Sequence, residues 1–75
     1  MNEDKLSPNQ IETIQYLAKA NLNVSECGRM MFMHRNSIMW RLAQIHRKTG
    51  LNPVDFFDMV KLLDNLKNSG YKIKI

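Results

Sequence analysis

The fold of this chain is decided by residues 23–42, which read NVSECGRMMFMHRNSIMWRL. The stretch has the length and pattern of two short helices joined by a tight turn. Its second half opens with His34-Arg35-Asn36-Ser37, whose side chains can bond to base edges and phosphate oxygens. Between Glu26 and Asp55 the chain has no acidic residue. The basic residues in that gap are Arg29, Arg35, Arg41, Arg47 and Lys48. Positive charge concentrated on the most polar helix of a small helical module indicates nucleic-acid binding.

Length and charge limit the classes of protein that this chain can represent. Its 75 residues form one domain, and so small a domain buries only roughly 60–65% of the surface that its unfolded chain exposes. Such a core contributes on the order of 3–5 kcal/mol, so a deep catalytic cleft is hard to build and dimerisation would bury more surface. The net charge of +4 is modest, and its placement is more informative than its size.

The cysteine count and the hydropathy pattern predict a cytoplasmic protein with no membrane partner. Cys27 is the single cysteine and cannot form an internal disulfide, which is typical of a reducing compartment. No apolar run approaches the ~18–20 residues that span a bilayer. Residues 1–5 are polar and no apolar block follows them, unlike the start of a signal peptide.

The first two helices are predicted from their capping signals. The Ser7-Pro8-Asn9-Gln10 segment forms a capping box with proline at the first helical position, so a helix is expected from about Pro8 to Ala20. Its apolar stripe comprises Ile11, Ile14, Leu17 and Ala18. The Asn23-Val24-Ser25-Glu26 segment repeats the device, with Asn23 as the cap and Glu26 as its partner, in a short helix ending near Met31. The inner face of that helix is expected to consist of Val24, Cys27 and Met31.

Gly28 marks a close approach inside the second predicted helix. Glycine costs roughly 0.8–1 kcal/mol relative to alanine in a helix. Its presence here is explained if another helix crosses so closely that a Cβ would not fit. Phe32-Met33 then forms the turn, and His34 caps a third helix over about residues 35–49. Gly50 ends this helix, because the position past a helix end usually needs a left-handed residue. The buried stripe of the third helix is predicted to be Ile38, Leu42 and Ile45.

A fourth helix is expected to begin at Asn52-Pro53-Val54-Asp55, in the same manner as the first, and to reach about Asn68. Its inward residues are predicted to be Phe56, Val60 and Leu63. Residues 71–75 alternate apolar and basic side chains, but a terminal segment this short frays more often than it pairs. The prediction is therefore an all-α fold, a small helix-turn-helix bundle of about four helices. It comprises a disordered N-terminus (1–6), a helix-turn-helix DNA-binding domain (7–69) and a basic and apolar C-terminal tail (70–75).

Three segments carry a resemblance to a known family: NVSE at 23–26, HRNSIMWRL at 34–42, and TGLNP at 49–53 followed by Phe57-Asp58. Over about Ile11 to Leu66 the chain resembles the C-terminal helix-turn-helix domain of bacterial transcription factors of the PucR and sugar-diacid-regulator type. It is more distantly similar to the DNA-binding end of Fis. Two residues depart from the family pattern: Trp40 stands where tyrosine is common, and Gly28 where alanine is.

The resemblance implies DNA binding in transcription regulation, in a bacterial or phage protein. Family members usually carry this module behind a sensory domain, which this sequence does not contain. Ligand sensing therefore does not transfer, and we expect a stand-alone regulator with no cofactor and no small-molecule ligand.

In a helix-turn-helix the second helix enters the major groove with its N-terminal residues at the base edges. Arg35 and Asn36 occupy that end, and arginine on guanine and asparagine on adenine are favoured pairings. Ser37, with the amides of the first turn, is expected to hold a phosphate, and Met39 to touch a thymine methyl. The expected DNA-binding residues are His34, Arg35, Asn36, Ser37, Met39, Trp40, Arg41, Arg47 and Lys48, the last three as contacts to the DNA backbone.

Each of these residues also has a purely structural interpretation. The structural alternative for Arg35 is a solvated first-turn residue, and His34 is more often a helix cap than a base reader. Asn36 could merely stabilise the turn, and Trp40 is as well suited to packing as to stacking on a sugar-phosphate. Cys27 and the two histidines match no zinc spacing, so no metal site is expected.

The sequence therefore predicts a sequence-specific binder of double-stranded DNA that acts as a homodimer on a palindrome. The alternative is a protein-interaction module of the same fold that binds a transcription component or another regulator. An enzyme is not expected, because the chain has no phosphate-binding loop and no nucleophile–base pair at convincing spacing.

Overall fold

The computed structural model describes residues 6–70, which form four helices. These are α1 (Pro8–Lys19), α2 (Val24–Met31), α3 (Arg35–Thr49) and α4 (Phe56–Asn68). The all-helical class and the four helices are confirmed. Helix α1 lies against each of the other three and α2 lies against α3, whereas α4 approaches α1 alone among the described helices.

The predictions for the two ends of the chain lie outside the described residues. Of the segment 1–6 only Leu6 is described, and its side chain packs against the core. Of the tail 70–75 only Gly70 is described, with a positive φ of 91°.

The caps of α1 and α2 have the predicted residues. Ser7 Oγ accepts from the Gln10 amide at 3.3 Å, and Gln10 Oε1 accepts from the Ser7 amide at 3.0 Å. Asn23 Oδ1 accepts from the Glu26 amide at 2.9 Å. The other bond of this second capping box, from the Asn23 amide to the Glu26 side chain, does not form. Instead the Glu26 carboxylate accepts from Arg29 Nε at 3.0 Å, one turn along the helix. The nearby guanidinium is a stronger donor for a carboxylate than a backbone amide is.

Helix α3 begins and ends as predicted. His34 is its cap, with Nδ1 accepting from the Asn36 amide at 3.1 Å. Gly50 follows Thr49 in the left-handed region, with φ 76°. The predicted stripe of Ile38, Leu42 and Ile45 is buried.

The predicted start of α4 was wrong by about one turn. The helix begins at Phe56, and the cap is Asp55, whose side chain accepts from the Asp58 amide at 3.0 Å. Asn52 instead forms a turn in which its side chain accepts from the Val54 amide at 3.2 Å. The Asn52 amide donates to Asp58 at 2.9 Å, and Pro53 is buried. An asparagine before a proline can start a turn as readily as a helix, and here Asp55 and Asp58 supply the stronger cap.

The inward face of α4 was also predicted wrongly. Phe56 is 63% exposed and Val60 49% exposed, and Leu63 is only partly buried. The buried residues of this helix are Met59, Leu62 and Leu66. Both sets recur at helical spacing, so the sequence offers two apolar stripes, and packing against α1 selects one of them.

The core joins all four helices into one cluster. Its buried members are Ile11, Ile14, Leu17, Ala20, Cys27, Ile38, Leu42, Ile45, Met59, Leu62 and Leu66. Val24 and Met31, predicted for the inner face of α2, are partly buried and pack against this cluster, as Ala18 of α1 does. None of the helices in the described range is long and apolar enough to cross a membrane.

The turn between α2 and α3 explains Gly28. A Cβ on Gly28 would lie 2.8 Å from the Met33 carbonyl oxygen and 3.7 Å from Ile38 Cγ1 of α3. The predicted close approach is therefore real, but the nearest atom belongs to the turn rather than to the crossing helix. Phe32 closes the turn in the left-handed region, with φ 57°.

Candidate nucleic-acid interface

One face of α3 is exposed along its whole length. Since Ile38, Leu42 and Ile45 turn into the core, the opposite side of the helix faces away from the domain. We call this side the outer face of α3. It comprises Asn36, Trp40, Ala43 and Arg47, at spacings of three and four residues, and all four are exposed. Neither this face nor any other part of α3 carries an acidic residue.

The N-terminal end of α3 presents polar side chains to solvent. His34, Arg35, Asn36 and Ser37 are all exposed. Because His34 Nδ1 accepts the Asn36 amide hydrogen, the proton of the neutral ring is on Nε2. The capping role of His34 therefore leaves its Nε2–H group as a donor, and the two interpretations of this residue are compatible.

The amides of the first turn are less available than expected. The Asn36 amide is bonded to the His34 ring, and the Ser37 amide donates to the His34 carbonyl oxygen at 3.0 Å. The prediction that these amides hold a phosphate is therefore not supported for Asn36 and Ser37. At this position the exposed hydroxyl of Ser37 is the group that can bond to a phosphate.

A shallow open groove runs between the turn and the first two turns of α3. Its volume is about 410 Å³, and it is lined by Met33, Asn36, Ser37, Trp40 and Arg41. The Trp40 side chain is 66% exposed, so the packing role that the sequence left open accounts for only part of its surface. An aromatic side chain with polar groups beside it is suited to contact a sugar-phosphate or a partner side chain.

Met39 lies beside the outer face of α3, on the side opposite the groove. It lines a smaller notch of about 160 Å³ together with Val24, Ala43, His46 and Val54. The Met39 side chain is 47% exposed, and its flexible thioether can adapt to an apolar contact.

The side chains of Arg41 and Lys48 bond to α1 instead of extending into solvent. Arg41 Nη1 donates to the Thr13 hydroxyl at 3.2 Å and approaches the Asn9 carbonyl oxygen at 3.5 Å. Lys48 Nζ donates to Gln10 Oε1 at 3.1 Å. Both basic side chains are partly buried, and Thr13 and Gln10 are buried. These bonds join the side of α3 next to the outer face to α1, and they satisfy polar groups that would otherwise be costly to bury.

Arg35 and Arg47 are therefore the exposed arginines of α3, one near each end. Arg29 of α2 is also exposed, but it is paired with Glu26. Of the nine residues expected at the interface, seven are exposed on or beside the outer face of α3, and Arg41 and Lys48 are tied to α1.

Phe32 is a surface residue that sequence reasoning treated only as part of the turn. Its side chain is 96% exposed, and its backbone has the left-handed conformation that favours glycine. A bulky side chain in that conformation is unusual and is a reason to look for a role in binding. The signal in the sequence was a tight turn without a glycine between two helices.

The described residues give no support for a metal site or a reactive thiol at this surface. In the range 6–70 no three His, Cys, Asp or Glu side chains converge as metal ligands. Cys27 is buried in α2, and burial raises the pKa of its thiol. A protonated, enclosed thiol is a poor nucleophile.

Comparisons with known proteins give one finding. No curated protein and no solved structure matches the chain significantly. The family model of the PucR C-terminal helix-turn-helix domain matches residues 10–67. The match extends from the third residue of α1 to the last but one of α4, which is more than half of the chain. The chain therefore belongs to the PucR C-terminal helix-turn-helix domain family, a non-catalytic family whose fold implies DNA binding in the regulation of transcription.

Proposed function

We propose that this domain binds double-stranded DNA sequence-specifically, with the N-terminal end of α3 in the major groove. The observation that carries the proposal is the outer face of α3, which is exposed from Asn36 to Arg47 and has no acidic residue. In helix-turn-helix proteins this helix contacts base edges and the preceding helix crosses the DNA backbone. The exposed end of α3 carries the side chains that such contacts require.

Arg35 and Asn36 are the proposed base readers. A guanidinium can bond in bidentate fashion to guanine, and a carboxamide to adenine, each pairing discriminating by roughly 1–3 kcal/mol. His34 Nε2–H is a third donor at the same end of the helix. Met39 contributes an apolar contact, for which a thymine methyl is the matching group.

Ser37, Trp40 and Arg47 are the proposed contacts to the DNA backbone. Phosphate contacts set the register of the protein on the duplex, while base contacts specify sequence. Arg41 and Lys48 brace α3 against α1, and the positive charge that they keep there adds to the attraction of the duplex.

The domain is proposed to bind DNA by itself, as a regulator in the cytoplasm associated with the nucleoid. The described residues form one hydrophobic core, to which all four helices contribute. Two copies would read a palindrome whose half-sites are about one helical turn, roughly 34 Å, apart.

A titration of duplex DNA over a series of salt concentrations tests the proposal. Affinity should fall linearly on a log–log plot as salt rises, because each phosphate contact releases counterions. Arg47→Ala should reduce the magnitude of this slope by about one. Lys61→Ala is the matched control, since Lys61 is an exposed basic residue of α4. The absence of binding at low salt, or binding that ignores salt, contradicts the proposal.

One observation favours a second function, contact with another protein of the transcription apparatus. Phe32 and Trp40 are both highly exposed near the proposed reading surface. Exposed aromatic side chains are typical anchors of protein interfaces. A stoichiometric complex with such a protein, formed by a chain that shifts no DNA, would favour this function over base reading.

A further inference from the structure

The Arg41 guanidinium is oriented by two neutral oxygens of α1. Its Nη1 donates to the Thr13 hydroxyl at 3.2 Å and approaches the Asn9 carbonyl oxygen at 3.5 Å. The Thr13 hydroxyl gives its own hydrogen to that carbonyl oxygen at 2.7 Å, so its lone pairs remain to accept from Arg41. Thr13 is fully buried, which fixes the position of its hydroxyl. Helix α1 thus determines how the guanidinium is held.

This anchoring leaves the positive charge of Arg41 uncompensated. Hydroxyl and carbonyl oxygens carry no formal charge, and among the described residues no carboxylate pairs with Arg41, that of Glu12 in α1 included. Arg29 is the contrasting case, because its guanidinium is bonded to the Glu26 carboxylate. Within the described residues only Nη1 of Arg41 is bonded, so Nε and Nη2 keep their hydrogens for another acceptor. Two adjacent guanidinium donors are the fork with which arginine binds a phosphate.

Arg41 also lines the shallow groove beside the turn between α2 and α3. The other residues of this groove are Met33, Asn36, Ser37 and Trp40. Ser37 precedes Arg41 by one helical turn, and side chains at that spacing are neighbours, with Cβ atoms roughly 5–6 Å apart. The exposed Ser37 hydroxyl and the Arg41 guanidinium can therefore bond to oxygens of the same phosphate.

We propose that this groove binds a backbone phosphate of the duplex through the Arg41 fork and the Ser37 hydroxyl, with Thr13 as the residue that positions Arg41. The inference rests on the proposed DNA binding and gives α1 a part in it. Asn36 and Trp40 belong both to the groove and to the outer face of α3. A duplex whose bases meet the N-terminal end of α3 therefore brings one of its strands along the groove.

The contact with α1 prepares Arg41 for binding. Ordering a long side chain at an interface costs roughly 0.5–1.5 kcal/mol, and an arginine that is already held by Thr13 has lost part of that freedom in the folded domain. The bond that braces α3 against α1 thus also lowers the cost of the phosphate contact.

The salt dependence of duplex binding tests the contact of Arg41. Arg41→Ala should weaken binding to all sequences alike and reduce the magnitude of the log–log salt slope by about one, since one phosphate contact is lost. Lys61→Ala removes an exposed positive charge from α4; it is the matched control and should leave the slope unchanged. Because Arg41 also braces the fold, each titration is made at a temperature at which circular dichroism shows the variant to be as helical as the wild type.

Two substitutions of Thr13 separate its positioning role from its packing. Valine keeps the shape of threonine and removes the hydroxyl, whereas serine keeps the hydroxyl and removes a methyl group from the core. Thr13→Val should weaken duplex binding by roughly 2- to 10-fold with the salt slope unchanged, because the charge remains but Arg41 must be ordered on binding. Thr13→Ser should bind like the wild type, although the loss of a buried methyl group destabilises it.

The possible failures are distinguishable. An Arg41→Ala slope equal to that of the wild type, or a preference lost at one base pair instead of a uniform loss, overturns the phosphate site. Equal affinities of Thr13→Val and Thr13→Ser overturn the positioning role of Thr13. Either result leaves the proposed DNA binding in place, since the wild type still binds in a salt-dependent manner. A wild type that binds no duplex overturns both proposals.

Discussion

The Met33 amide donates to the Gly28 carbonyl oxygen across 2.8 Å, and the Met33 carbonyl oxygen lies 2.8 Å from where a Cβ of Gly28 would stand. The two residues thus close the turn between α2 and α3 from both sides. This contact sets the angle at which α3 leaves α2, and so the direction in which the outer face of α3 points. The turn leaves no room for a side chain at residue 28.

Gly28→Ala should therefore destabilise the domain by about 1–3 kcal/mol, the usual cost of overpacking. The expected loss runs against helix propensity, which favours alanine by about 1 kcal/mol. Chemical denaturation followed by circular dichroism measures it. Ser25→Ala, at an exposed position of the same helix, should be close to neutral. A Gly28→Ala domain as stable as the wild type would show that the turn has room for a Cβ.

Arg41 and Thr13 should be energetically coupled, because the guanidinium donates to the buried hydroxyl. Arg41→Ala and Thr13→Val should each reduce stability, and the double variant should lose about 1 kcal/mol less than the sum. A double-mutant cycle from denaturation curves gives this coupling. Strict additivity would mean that the bond does not hold α3 against α1.

Phe32→Gly should stabilise the domain by about 0.5–1 kcal/mol. A left-handed backbone costs a residue with a Cβ roughly 1–2 kcal/mol, and the greater conformational entropy of glycine in the unfolded chain offsets part of the gain from removing that cost. Phe32→Ala is the control. It keeps the strained backbone and loses a side chain that is 96% exposed, so its stability should not change. If glycine is no better than alanine in thermal melts, the strain at this turn is negligible.

The thiol of Cys27 should make stability depend on alkaline pH. Burial raises the pKa of this thiol, so above the ordinary thiol pKa of about 8.5 the unfolded chain releases a proton that the folded chain keeps. Below that pH the contribution is fully present, and it is lost as the pH rises. The stability difference between the wild type and Cys27→Ala should therefore be constant near neutral pH and narrow above pH ~8.5. A difference that widens would contradict the stated sign.

Local chemistry made most helix boundaries predictable. Ser7, Asn23 and His34 each place a side-chain acceptor over free amides, and Gly50 supplies the left-handed exit from α3. These signals act within four residues, so they can be recognised without the rest of the fold. The same holds for the buried stripe of α3, because its opposite side is strongly polar.

The features that sequence reasoning predicted wrongly depend on contacts between distant residues. Helix α4 has two apolar stripes, and only packing against α1 decides that Met59 is buried and Phe56 exposed. Lys48 and Gln10 are 38 positions apart, so the sequence alone did not reveal that this basic side chain leans on α1. The cap of α4 was misplaced because Asn52-Pro53 resembles Ser7-Pro8 locally.

Selection of bound duplexes from a random pool, carried out in parallel with the wild type and with Arg35→Ala, tests most directly the claim that the N-terminal end of α3 reads bases. The wild type should enrich a palindrome with half-sites about one helical turn apart, and Arg35→Ala should lose the preference at one base pair of each half-site while keeping the rest of the motif. Identical motifs from the two chains, or no enriched motif from the wild type, would contradict it.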